Sequence, residues 1–246
     1  MRIAVLSDIH GNLPALDAVI ADVQRQRADL IVNLGDIVSG PLQPRETADK
    51  LMALSFPTIR GNHERQLLTQ TVDQMGPSDR FARETLTDEH LRWLDSLPPV
   101  LWLEQDVLMV HGTPSSDQEY LLETVEWDGV REATPREVAE RTGGVSASLI
   151  LCGHSHIPRA TRTEDGKLIV NPGSVGLPAY ESDQPFWHKI ETGSATASYA
   201  LVERALHSWS ATLLQIDYDW MTAARLALDR NRRDWANALG TGRLKY

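Results

Sequence analysis

The sequence predicts an α/β fold with an antiparallel section near its end. Amphipathic helical segments alternate with short apolar runs, and after Lys167 the pattern changes to consecutive β-rich segments. Five of the apolar runs end at a glycine or a polar cluster, which is typical of strands buried on both faces of a sheet: RIAVLS, LIVNLG, FPTIR, VLMVHG and SLILCG. The alternation followed by consecutive strands indicates the α/β class.

A helix connects the first two predicted strands. The segment NLPALDAVIADVQRQR places five apolar residues on one helical face, and Pro14 suits the first helical turn; these residues are Leu13, Leu16, Val19, Ile20 and Val23. We expect this strand, helix, strand unit to have a right-handed crossover.

Further elements follow from capping and alternation patterns. In TPREVAERTGG, Thr134 is a helix cap, Pro135 is the first helical residue and Glu137 completes a capping box. Helices are also predicted for PRETADKLMAL, for residues 79–97 and for residues 220–238. The segments KLIVNPG, ASYALVER and HSWSATLLQIDY predict strands, with a hairpin around Ala205 to Ser208.

Length and composition predict one domain over residues 1–246, because a chain of 246 residues is long enough for one large core. The net charge of -10 would repel a polyanion and disfavours bulk nucleic-acid binding. The single cysteine, Cys152, rules out an intrachain disulfide and is interpreted as a small buried hydrophobe. No apolar run is long enough for a signal peptide or a membrane span, so we expect a cytoplasmic protein with no membrane partner.

Groups that can bind a metal ion follow each of the five apolar runs. These residues are Asp8, His10, Asp36, Asn62, His63, His111, His154 and His156. Ligands bind beyond the carboxyl ends of strands in α/β sheets, so we expect the groups to share one crevice. In an extended segment residues i and i+2 point the same way, which would pair Asp8 with His10 and His154 with His156.

Each of these residues taken alone also has an ordinary structural interpretation. Asp36 could be a helix cap, Asn62 a turn residue, and a single histidine a hydrogen-bonding group. Taken together they predict a metal site, because five of the eight histidines lie in these loops. We assign no function to the other three, which are His90, His188 and His207. Oxygen and imidazole ligands without thiolates suit manganese, iron or zinc, and a bridging carboxylate would allow two ions.

The motifs DIH, GDIV, GNHE, VHG and GHSH occur in this order between Asp8 and His156. This series resembles the calcineurin-like metallophosphoesterase superfamily. The segments IVNPGSVGLP and HGTPSSDQEYL resemble its small bacterial and archaeal phosphodiesterase-type branch. The resemblance implies a four-layer α/β/β/α sandwich with mixed sheets.

The resemblance also implies a role for each motif residue. Asp36 would bridge two divalent ions, which would be manganese, iron, zinc or nickel, and a bridging hydroxide would attack phosphorus. His63 would face the substrate and protonate the leaving oxygen, so His63 and Asp36 are the expected catalytic residues. Glu64 would orient or cap the site without binding metal. The first metal site would contain Asp8, His10, Asp36 and His156, and the second Asp36, Asn62, His111 and His154.

Two departures from the family pattern affect the expected substrate. The segment GDIVSGPLQP lacks the Arg-Gly that follows this motif in serine/threonine phosphatases and dinucleoside tetraphosphatases, which disfavours both. Residues 178–199 are longer than in compact branch members, which indicates an inserted loop near the site. We interpret six tryptophans as core residues, with pocket lining as an alternative for Trp127 and Trp187; the six are Trp93, Trp102, Trp127, Trp187, Trp209 and Trp220.

The resulting prediction is a two-metal phosphoesterase, a phosphodiesterase whose partner is a small phosphoester such as a nucleotide. The alternatives are a phosphomonoesterase or protein phosphatase, or a dinucleoside polyphosphate hydrolase, of the same superfamily. A nuclease is disfavoured by the acidic composition. A non-catalytic interaction scaffold is disfavoured because His63 and every expected ligand are present.

Overall fold

The computed structural model describes residues 1–206 and 208–245; His207 lies outside the described residues. The described strands are β1 (Arg2–Leu6), β2 (Leu30–Asn33), β3 (Val100–Glu104), β4 (Val107–Val110), β5 (Glu123–Glu126), β6 (Gly129–Glu132), β7 (Leu149–Leu151), β8 (Arg159–Arg162), β9 (Leu168–Asn171), β10 (Ala179–Ser182), β11 (His188–Glu191), β12 (Ala197–Ala205) and β13 (Ser208–Ile216). The described α-helices are α1 (Leu13–Gln26), α2 (Pro44–Leu54), α3 (Asn62–Thr69), α4 (Pro77–Thr85), α5 (Asp88–Ser96), α6 (Pro135–Thr142), α7 (Trp220–Asp229) and α8 (Arg233–Thr241).

Two mixed sheets form the centre of the molecule. The first has the order β13-β12-β1-β2, and only its β1–β2 pair is parallel. The second has the order β3-β4-β7-β9-β8, with parallel pairing from β4 through β9 and antiparallel edges. The predicted unit β1-α1-β2 therefore exists, and the expected hairpin pairs Ala205 with Ser208.

Apolar side chains fill three interfaces between four layers. Val5 of the first sheet and Met109 of the second belong to one buried cluster between the sheets. A second cluster packs α1 against the outer face of the first sheet, around Leu16 and Tyr199. A third packs α6 against the outer face of the second sheet, around Val138. The predicted four-layer α/β/β/α sandwich is confirmed.

Some predicted boundaries were wrong for identifiable reasons. The segment FPTIR is not a strand: Thr58 forms only an isolated bridge to Asn33, and Pro57 has no N–H to extend the ladder. The final helix is two helices, α7 and α8, because the chain turns at Asn231 with a φ of 59°. Residues 79–97 likewise contain most of α4 and all of α5. The hairpins β5–β6 and β10–β11 were not predicted.

The C-terminal helix pair packs against the loop that follows β2. Leu42 of that loop joins a buried cluster with Ala227 of α7 and Leu239 of α8. Arg230 also donates hydrogen bonds to the carbonyls of Pro41 and Leu42. None of the described helices has both the length and the apolar character that crossing a membrane requires.

The inter-sheet cluster should dominate stability. Met109→Ala removes a fully buried side chain and should lower the free energy of unfolding by about 2 to 5 kcal/mol, as buried methionine truncations do. Met221→Ala, at a position that is 64% exposed, is the matched control. Denaturant unfolding of both variants would measure the difference, and equal stabilities would contradict this packing.

Candidate metal centre

One end of the two central sheets carries all of the predicted ligand residues. The loops after β1, β2, β4 and β7 and the start of α3 supply them, so strand ends from both sheets converge as expected. The residues brought together are Asp8, His10, Asp36, Asn62, His63, His111, His154 and His156.

The first group of potential metal ligands contains Asp8, His10 and His156, whose ligand atoms lie within 4.8 Å of one another. The Nε2 atoms of His10 and His156 are 3.2 Å apart, and His156 Nε2 is 3.3 Å from Asp8 Oδ1. Each imidazole uses its other nitrogen to donate to a backbone carbonyl, His10 to Ser39 at 2.8 Å and His156 to Leu177 at 2.7 Å. The Nε2 lone pairs therefore face each other across a short gap.

The second group contains Asp36, His111 and His154, again with ligand atoms within 4.8 Å. His111 Nε2 is 3.1 Å from both Asp36 Oδ2 and the side-chain oxygen of Asn62. His111 Nδ1 donates to the Leu34 carbonyl, and His154 Nε2 donates to the Gln118 carbonyl at 3.1 Å. Nδ1 of His154 is thus left as an acceptor.

The backbone of these loops adopts an uncommon conformation. Asp8, His10, Asp36, His154 and His156 all have φ between 52° and 68°, in the left-handed region. The expected extended backbone is therefore wrong. Asp8 and His10 do belong to one ligand group, but His154 and His156, which we expected to point to the same place, belong to different groups. A non-glycine residue in this region costs of the order of 1 to 3 kcal/mol, and such residues cluster at functional sites.

Hydrogen bonds from neighbouring loops hold this conformation. The Asp8 amide donates to the Gly35 carbonyl and the His10 amide to the Asp36 carbonyl, each at 3.0 Å, so the first two motif loops are joined. The hydroxyl of Ser174, in the NPGSVG segment, donates to the Asp8 carbonyl at 2.7 Å. This segment therefore supports the first ligand loop.

Glu64 joins the second and third motif loops. Its buried carboxylate accepts the amide protons of Asp36 at 2.8 Å, Ile37 at 2.8 Å and Gly61 at 2.9 Å. The expectation that Glu64 orients the site is confirmed by these contacts.

Two motif glycines are required because the loops approach very closely. A Cβ at Gly61 would lie 2.2 Å from Asp36 Oδ1, and a Cβ at Gly153 would lie 2.0 Å from Ser7 Oγ. A side chain at Gly61 would also lie 2.8 Å from the Asp36 backbone nitrogen, so the Asp36 loop would have to move, whereas one at Gly153 would require the Ser7 side chain to move.

The donor set fits divalent cations. Asp8 Oδ1 is buried and makes no hydrogen bond to any described residue, although His156 Nε2 lies 3.3 Å from it. Burial and the neighbouring His156 lower the pKa of His10 to about 4, and burial and His111 lower that of His154 to about 3, so both imidazoles are neutral near pH 7. Neutral imidazole and carboxylate oxygen are ligands for manganese, iron and zinc.

Opposing effects act on the second group. Burial would raise the pKa of Asp36, but His111 and His63 hold it well below its usual value. Burial would lower the pKa of His111, but Asp36 outweighs it and raises the pKa to about 10. The Asp36 carboxylate thus stabilises positive charge next to the His111 imidazole.

His63 lies beside the first group without belonging to it. Its Nδ1 is 2.8 Å from Asp79 Oδ1, its amide donates to Asp36 Oδ1, and its ring centroid is 5.4 Å from that of His10. Burial alone would lower the pKa of His63, but Asp36 and Asp79 raise it to about 9. Asp79 is buried at the start of α4 and was missed because it lies outside every motif.

A cavity of about 290 Å³ opens onto these residues. Its other walls come from the β10–β11 hairpin, with Tyr180 and Glu181, and from the α8 region, with Arg232 and Trp235. The segment 178–199 does therefore lie near the site, as expected. Both interpretations of Trp127 and Trp187 were wrong, since these side chains are 81% and 57% exposed and do not line this cavity. The core interpretation was also wrong for Trp102, which is 45% exposed on the edge strand β3.

The hairpin also supports the GHSH loop through a buried polar chain. Tyr180 donates to the His154 carbonyl at 3.0 Å, and its ring centroid is 4.5 Å from that of His156. Its hydroxyl lies 2.6 Å from that of Tyr120, which lies 2.8 Å from His188 Nε2. His188, to which the sequence assigned no function, therefore fixes the position of residues that contact the ligand histidines.

Comparisons with known proteins agree with this arrangement. A sequence model described as the calcineurin-like phosphoesterase superfamily domain matches residues 1–193. An uncharacterized protein of Methanocaldococcus jannaschii is 27% identical over 259 aligned positions, covering 95% of this chain and 94% of that protein.

Two solved structures share the fold over nearly their whole length. A metallophosphoesterase from Sphaerobacter thermophilus is 25% identical, with a TM-score of 0.77 and 99% of each chain covered. A hypothetical protein from Pyrococcus horikoshii is 20% identical, with a TM-score of 0.74 and 99% of each chain covered. With all five motifs assembled at one site and the family match covering most of the chain, this protein belongs to the calcineurin-like phosphoesterase superfamily.

Proposed function

We propose that this protein is a two-metal phosphodiesterase that hydrolyses small phosphoesters, including nucleotide-like ones. The observation that carries the proposal is the convergence of imidazole nitrogens and carboxylate oxygens in two groups of potential metal ligands. Membership of the superfamily supports phosphoester hydrolysis by this centre.

The ligands of the two ions are assigned from this geometry. Asp8, His10 and His156 would hold one ion, and Asp36, His111 and His154, with Asn62 beside them, would hold the other. The family resemblance implies that Asp36 would also contact the first ion. Bound manganese, iron, zinc or nickel would activate water and neutralise the phosphoryl oxygens. The carbonyls that accept the N–H of each imidazole would keep the other ring nitrogen aimed at the ion.

His63 is assigned as the general acid. Asp79 accepts the Nδ1 proton of His63 and fixes the ring, which leaves Nε2 to donate a proton to the leaving oxygen. The His63 side chain is 30% exposed, in contrast to the buried ligand imidazoles of His10, His111 and His156, so it is accessible to a substrate.

The cavity favours a small substrate over a protein or a nucleic acid. Its volume of about 290 Å³ lies at the lower end of small-molecule pockets. The net charge of -10 opposes a polyanion outside the immediate site. A diester is favoured over a monoester by the resemblance of the NPGSVG and HGTP segments to the diesterase-type branch.

Removing the shared carboxylate should impair both metal sites. Asp36→Asn should lower the occupancy of both ions and reduce activity by more than about 100-fold, because a neutral amide cannot offset the repulsion between two cations. Elemental analysis after equilibration with Mn²⁺ would give the stoichiometry, with the surface variant Asp17→Asn as control. Two tightly held ions and normal activity in Asp36→Asn would contradict the shared role.

Diesters should be better substrates than simple monoesters. The expected result is a higher kcat/KM for bis-p-nitrophenyl phosphate than for p-nitrophenyl phosphate in the Mn²⁺-loaded protein, measured by nitrophenolate release. A clear preference for the monoester would favour the phosphomonoesterase alternative.

The role of His63 can be separated from metal binding. His63→Gln should retain both ions and lose about 10²- to 10⁴-fold in kcat/KM for an alkyl diester, because an alkoxide must be protonated as it leaves. A nitrophenyl diester should lose less, since nitrophenolate leaves without a proton. Asp79→Asn should show the same dependence on the leaving group, more weakly.

The control is metal content measured on the same samples. Equal losses for the two diesters at full metal occupancy would mean that His63 positions the substrate or stabilises charge, and the general-acid assignment would be wrong.

A further inference from the structure

We propose that Arg232 is a specificity-determining residue that binds a second anionic group on the leaving part of the substrate. The inference rests on the proposed phosphodiesterase function and deepens it by naming a feature of the preferred substrate. The residue lies immediately before α8, beyond residues 1–193 that match the family, so the family match does not account for it.

Arg232 faces the same cavity as the candidate metal centre. Both Arg232 and Trp235 line it together with His10, His63 and Asp36. The Trp235 ring is 6.0 Å from that of His10, and the Arg232 guanidinium lies 5.6 Å from the Trp235 ring. The tryptophan therefore forms a wall that continues from the metal ligands to the guanidinium.

The guanidinium lies on the side of the cavity that contains His63. Arg232 Nη1 donates to the Ser78 hydroxyl at 2.9 Å, and the next residue, Asp79, accepts a hydrogen bond from His63. Because His63 is assigned to the leaving oxygen, Arg232 is placed to contact the leaving part of the substrate.

The guanidinium is held rigidly and still has hydrogen-bonding capacity. Asp234 accepts from Nε at 3.0 Å and from Nη2 at 2.6 Å, and Ser78 accepts from Nη1. Arginine has five N–H donors, so one on each terminal nitrogen has no acceptor among the described residues. Two terminal N–H groups suit a carboxylate or phosphate oxygen pair.

Charged side chains of both signs line the cavity near Arg232. Arg232 is 20% exposed at its side chain, so it is partly shielded from water yet accessible from the cavity. Lys245 lines the same cavity and adds a second positive charge, whereas Asp36 and Glu181 contribute carboxylates to the lining. Asp234 fixes the guanidinium but is itself 55% exposed, so solvent weakens its neutralising effect.

The test compares two chromogenic diesters that differ by one charge. They are methyl 4-nitrophenyl phosphate and methyl 3-carboxy-4-nitrophenyl phosphate, assayed with the Mn²⁺-loaded protein. Arg232→Gln should lower kcat/KM for the carboxylated diester about 10- to 100-fold more than for the diester without the carboxylate, as expected for the loss of a charge-assisted hydrogen bond, mainly through KM. Arg232→Lys should recover part of the loss.

Arg233→Gln is the matched control, because it makes the same charge change at the next position, which is exposed and does not line the cavity. Arg233→Gln should leave kcat/KM unchanged for both diesters, and thermal melting would show that each variant is folded. Equal losses for both diesters, or no loss, in Arg232→Gln would overturn the inference while leaving the proposed function intact. Failure of the wild-type protein to hydrolyse either diester would instead overturn the proposed function on which the inference rests.

Discussion

The arrangement depends on a constraint set by imidazole chemistry. Two ring nitrogens 3.2 Å apart, with their other nitrogens committed to carbonyls, need positive charge between them. The buried Oδ1 atom of Asp8 has no hydrogen bond and lies 3.3 Å from one of these nitrogens, His156 Nε2. Divalent ions satisfy both requirements at once, which explains why the surrounding loops accept strained backbone conformations.

Maintaining that constraint requires contacts from most of the fold. Glu64 joins two motif loops through three amide protons, and Ser174 supports a third from the opposite sheet. Tyr180 and His188 extend the support into the β10–β11 hairpin. Residues that bind nothing themselves therefore fix the geometry of the ligands.

Local signals in the sequence predicted the α/β class and the candidate ligand residues, and the family resemblance added the four-layer sandwich. Apolar runs ending in Asp, His or Asn identify strand ends, and strand ends converge by topology. The sequence did not predict Asp79, Tyr180, Arg232 or Trp235, because each reaches the site through long-range packing of an element without a motif. The break between α7 and α8 was also missed, since the left-handed turn at Asn231 leaves no strong signal in an otherwise helical segment.

The central claim is that each of the two ligand groups binds one cation. The most direct measurement is anomalous diffraction from crystals of the Mn²⁺-loaded protein. The account predicts two peaks about 3.5 to 4 Å apart, one beside Asp8, His10 and His156 and one beside His111 and His154, with Asp36 contacting both. No peak at these residues, or a single peak in crystals saturated with Mn²⁺, would contradict it.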